Sequence, residues 1–159
     1  MKIEVQVARV ADRAKGAQAL VIGAADDEMP AGHDAVAVRV PRGLADRAAE
    51  DDLQQAMHTI LQRAGERESR ALVMPALGVW RDRARNDVAA AIIVRALLED
   101  APRLAPRLWR ATICVPISKQ ACGFAMAQQL HDPGDQLIGG GTCQPHVPPP
   151  DQRRPVRLE

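Results

Sequence analysis

Aromatic residues are nearly missing from this chain. Among its 159 residues only Trp80, Trp109 and Phe124 are aromatic, and tyrosine is absent. A core made without rings must be assembled from alanine, valine, isoleucine and leucine. Cysteine is also sparse. Cys114, Cys122 and Cys143 are odd in number and show no C-x-x-C spacing, which argues against a disulfide framework or a structural zinc site. Neither sign of charge is in excess. A net charge of +1 lacks the basic surplus of a dedicated nucleic-acid surface, so no nucleic-acid partner is expected. No apolar run approaches the roughly 18–20 residues that span a bilayer, so no membrane partner is expected either. The opening MKIEVQVARV alternates polar and apolar residues and has no signal-peptide core, which predicts a cytoplasmic protein.

What is present is ordinary for a globular chain: 47% hydrophobic and 26% charged residues, at a length that suits one domain with a real core. Abundant alanine, with arginine well ahead of lysine, is the compositional mark of a GC-rich bacterial genome.

The pattern along the chain alternates strands and helices. Ile3, Val5 and Val7 alternate with Glu4 and Gln6, a half-buried strand. A short helical turn is expected within 11–17. The unbroken apolar run Ala19–Ile22 predicts a strand covered on both faces, followed by a loop with Asp26, Asp27 and Glu28. DAVAVRVP gives a third strand that Pro41 stops. From about Leu44 to Ala64 apolar residues recur every three or four positions (Ala49, Leu53, Ala56, Met57, Ile60, Leu61, Ala64), one helical stripe with Gly65 as its expected C-terminal cap. Ala71–Pro75 is a fourth strand. A glycine-bearing turn, Leu77–Arg85, leads from it to a helix capped by Asn86, apolar nearly all round from Val88 to Val94 and ended by Pro102. Arg110–Ile117 is a fifth strand and Gly123–His131 a last helix. Strands separated by crossovers predict a three-layer α/β fold, with a mainly parallel sheet of about five strands and helices on both faces. Residues 132–159, rich in proline and glycine, read as an extended C-terminal arm beside the 1–131 domain.

The turn before Asn86 is the strongest candidate site. Backbone N–H groups at a helix N-terminus attract anions. Gly78 permits close approach of a ligand, Trp80 offers a face for stacking a ribose or base, and Arg81, Arg83 and Arg85 suit a phosphate. A solvated arginine-rich turn, with Trp80 on an edge of the core, is the plainer alternative. The acidic cluster Asp26–Glu28 follows a strand at its carboxyl end, where open α/β sheets place ligands. Cys122, at the start of the last predicted helix, is a lesser candidate nucleophile, since His131 lies more than two turns away. No histidine pair shows metal-ligand spacing, and neither a cofactor nor a metal is expected.

These elements resemble the macro domain family. MKIEVQVARVAD is similar to the family's opening strand and turn, and ALVIGAAD (Ala19–Asp26) to its second strand and loop. DAVAVRVP resembles the next strand, and ALVMPALGVW (Ala71–Trp80) the second ligand loop, which a helix follows. The likeness covers about residues 1–117. It implies a macro-like fold and an ADP-ribose- or nucleotide-type ligand held by Asp26, Leu77, Gly78, Val79, Trp80, Arg81, Arg83 and Arg85. The departures are specific. Arg9 stands where the family has an adenine-binding aspartate, and Gly23 and Asp26 stand where it has the catalytic-loop asparagines. The few residues between Glu28 and Ala35 leave no room for its glycine-rich first ligand loop. Ligand binding without hydrolase chemistry is therefore the expected function. The alternative is a non-catalytic assembly module, a homo-oligomer formed through the C-terminal arm.

Overall fold

A computed structural model of the chain describes residues 1–14, 19–24, 35–40, 44–79, 85–116 and 118–131. Five short runs rich in β-branched and small apolar residues form its strands: β1 (Lys2–Val7), β2 (Leu20–Ala24), β3 (Ala35–Val38), β4 (Ala71–Pro75) and β5 (Arg110–Val115). They make one sheet in the order β1-β5-β4-β2-β3, and each neighbouring pair is parallel. The helices are α1 (Val10–Ala14), α2 (Arg47–Glu66), α3 (Asn86–Arg95), α4 (Ala101–Leu104) and α5 (Ser118–His131), with a π-helical turn, Ala96–Asp100, joining α3 to α4.

Strand alternation sorts the sheet into two faces. On one, Ile3, Leu20, Ile22, Leu72, Met74, Ala111, Ile113 and Val115 share a core with Leu53, Met57, Ile60 and Leu61 of α2. Ala89, Ala90, Ile93 and Val94 of α3 and Phe124 of α5 complete that core. The other face turns Val21, Val73, Thr112 and Cys114 the opposite way, all buried. The short helix α1 packs on β2 and β4, and the charge of its Arg13 acts on Cys114, which places α1 on this second face. Helices therefore lie on both sides of a parallel five-stranded sheet. Burial raises the Cys114 thiol above its usual pKa, as suits a packing residue.

Several boundaries differ from the sequence expectation, each for a local reason. Helix α2 begins at Arg47 because Asp46 is its N-cap: the extended Asp46 carboxylate accepts the Ala49 N–H at 2.9 Å. Gly65 is not a cap but lies inside α2. A β-carbon there would stand 2.0 Å from the Leu104 carbonyl oxygen, so glycine lets α2 close on the end of α4. Asn86 is the first helical residue of α3, while Arg85 is its N-cap in the left-handed region (φ 72°). Pro102 does not end the helix. The π turn, in which the Ala101 N–H reaches back to the Ala96 carbonyl, restarts the spiral so that Pro102 falls in the first turn of α4. Helix α5 starts at Ser118, earlier than its apolar pattern indicates. Residues 132–159, and with them the expected arm, lie outside the described residues.

Candidate functional site

The sheet order locates a crevice before any side chain is considered. From β4 the chain passes through α3 to β5, on one side; from β2 it passes to β3, on the other. Strands β2 and β4 are adjacent, with Leu20 opposite Leu72 and Val21 opposite Val73. The connections leaving their carboxyl ends thus diverge in opposite directions. That is a topological switch point, the place where open α/β sheets bind ligands. The two stretches singled out in the sequence, after β2 and after β4, both start there.

The described part of the second stretch is a tight turn. The Ala76 N–H donates to the Cys114 carbonyl at 3.0 Å, prolonging the β4–β5 ladder by one residue. The Val79 N–H then donates to the Ala76 carbonyl at 3.3 Å, with Gly78 in the left-handed region (φ 69°). Leu77 is buried and belongs to the core, and Val79 packs partly buried against it. At Gly78 a β-carbon would approach Leu53 at 3.1 Å, Leu44 at 3.6 Å and Ala89 at 3.7 Å. Glycine is needed here for its backbone conformation and for close packing on α2 and α3. Leu77, Gly78 and Val79 therefore form the floor of the turn, anchoring it to the core.

Arg85 stands at the far end of the turn and pairs with Glu50 from the first turn of α2. The pair is partly buried, with side-chain exposures of 40% and 20%, and it ties the entrance of α3 to α2. Sequence reasoning had Arg85 as a phosphate contact and did not include Glu50; nothing in either local pattern signals a partner so far along the chain. Asp26, Trp80, Arg81 and Arg83 lie outside the described residues. Among the described residues no cluster of histidine, cysteine and acidic side chains is suited to a metal ion. Cys122 is disulfide-bonded and so lacks the free thiol a nucleophile requires, which removes it as the lesser candidate nucleophile.

A second polar group lies at the β1 edge. Glu4 receives Lys2 at 2.8 Å and Arg110 at 2.7 Å, and the Gln6 amide donates to it at 3.3 Å. The hydrogen bond from Lys2, with help from Arg110 and against the cost of burial, holds the Glu4 carboxyl below its usual pKa. Both Glu4 carboxylate oxygens are paired within the cluster, while Gln6 Oε1 and Arg110 Nε are buried without a partner among the described residues; the group reads as an edge clamp between β1 and β5. No described helix is long and apolar enough to cross a membrane.

Comparison with known proteins gives no further name to the site: no protein-family model matches the chain, and no curated protein matches it in sequence.

Proposed function

We propose that this chain is a divergent macro-like domain that binds a nucleotide- or ADP-ribose-type ligand at the carboxyl ends of β2 and β4, without hydrolase chemistry. The observation that supports it is the switch point between those two strands. The two loops with which the sequence resembles macro domains leave the sheet side by side there. The N-terminus of α3 lies at the end of the second loop, where the positive end of the helix dipole favours a phosphate. With Arg85 committed to Glu50, Arg81 and Arg83 are the arginines of this loop assigned to the phosphate, and Trp80 to the ribose or base.

Isothermal titration with ADP-ribose, ADP, ATP and NAD tests this reading. The expected result is saturable binding of at least one of them, weakened about tenfold by Arg81→Ala or Trp80→Ala, the scale of one charge-assisted hydrogen bond or one stacking contact. Absence of heat with all four ligands, or binding indifferent to both substitutions, sinks it.

A further inference from the structure

Helix α3 is apolar at every position from Val88 to Val94, a composition suited to a helix enclosed on all sides. The sheet, α2 and α5 enclose only part of it. Val88, Ala91 and Ile92 remain partly buried and, with Arg95, Glu99, Asp100 and Gln54 of α2, line an open groove of about 500 Å³ whose wall is about half polar. Next to it, α5 presents Met126 and Leu130 one turn apart, 65% and 82% exposed. A β-carbon at Gly123 would stand 3.8–3.9 Å from Ala90, Asn86 and Asp87, so α5 packs alongside α3. Met126 lies three residues further on, level with the turn of Ala91 at about 1.5 Å per residue. An apolar strip thus crosses two neighbouring helices on the outside of the molecule.

The charges bordering the strip are self-complementary. Asp87, Ala91 and Arg95 follow one another at intervals of four and share one stripe of α3. Asp87 and Arg95 are both exposed. Two copies stacked face to face with α3 antiparallel, about a two-fold axis at Ala91, bring Asp87 of each opposite Arg95 of the other. Small Ala91 at the axis permits close approach, and Met126 meets its own counterpart. Arg95 already donates to Glu99 at 2.8 Å, yet its guanidinium carries further donors for a second carboxylate.

We infer that the α3–α5 face is an isologous homodimer interface of this chain, closed by reciprocal Asp87–Arg95 pairs.

Sedimentation velocity on the full chain tests the inference. A dimer is expected at micromolar concentration. Ala91→Glu, which keeps a good helix former at a half-exposed position, is expected to give a monomer with unchanged far-UV circular dichroism. Met126→Glu serves the same purpose should Ala91→Glu fail to fold. Asp87→Arg is expected to raise the dimer dissociation constant about tenfold, and adding Arg95→Asp to restore it to within about threefold, as an interfacial charge pair requires. A chain that is monomeric up to about 100 µM overturns the proposal, since that is the weak end of specific association. So does a dimer indifferent to Ala91→Glu and Met126→Glu, which would assign association to residues 132–159 or another surface. A charge exchange no better than Asp87→Arg alone also counts against it.

Discussion

At the scale of single residues, two glycines carry more of the fold than their number suggests. Gly65 faces the Leu104 carbonyl, and a β-carbon at 2.0 Å from backbone oxygen cannot be relieved by turning a side chain. Gly65→Ala is expected to cost about 1–3 kcal/mol, the usual penalty of overpacking, measured by urea denaturation. Gly78→Ala adds a left-handed backbone to a 3.1 Å approach on Leu53 and should cost at least about 1–2 kcal/mol. Glu4 gives a pH-dependent test. Its carboxyl pKa is lowered in the folded state, so its contribution is complete above the ordinary carboxylate range and disappears as pH falls through the folded value. Glu4→Gln is therefore expected to lower stability by about 0.5–1 kcal/mol at pH 7, the worth of a partly exposed ion pair. In acid denaturation curves the difference from the parent should begin to close as pH falls through the ordinary glutamate range and vanish only below the folded value.

At the scale of elements, legibility followed periodicity. The stripe Leu53, Ala56, Met57, Ile60, Leu61 and Ala64 is buried as its spacing predicts, and β4 spans the expected Ala71–Pro75. Both are long or dense enough in apolar residues that packing and pattern agree. Termini were harder to read, because ends are decided by single hydrogen bonds. The Asp46 cap of α2 contributes one such bond, and Asp46→Ala is expected to destabilise the protein by about 1 kcal/mol in thermal or urea unfolding. Pro102 was misleading for a different reason. A proline breaks a helix only where its missing N–H is required, and the π turn at Ala96–Asp100 moves it to a position where it is not. The apolar girdle of α3 suits a well-buried helix; Ala89, Ala90, Ile93 and Val94 are buried, but Val88, Ala91 and Ile92 are left half open. That mismatch is the physical basis for placing a second copy there.

At the scale of the whole molecule, the sheet order was the part that no local pattern contained. Alternating strands and helices imply a parallel sheet, but only the order β1-β5-β4-β2-β3 makes the carboxyl ends of β2 and β4 neighbours. The stretch after β4 was recognisable as a turn into a helix, yet the roles inside it were not. Leu77 and Gly78 serve the core, and Arg85 serves Glu50 across the gap between α3 and α2. Such partners are set by tertiary packing, which one-dimensional spacing does not encode. The same geometry separates the two proposals. The proposed ligand site lies along the carboxyl ends of the strands, whereas Ala91 and Met126 are on the outer side of the helical layer. Substitutions at separate sites without shared partners act additively to within about 0.5 kcal/mol. Ala91→Glu should then leave the dissociation constant of the tightest nucleotide found by titration within about twofold, even as it converts dimer to monomer. A loss of binding that accompanies the loss of the dimer would show instead that the site needs both copies, and the domain could no longer be read as a self-contained binding unit.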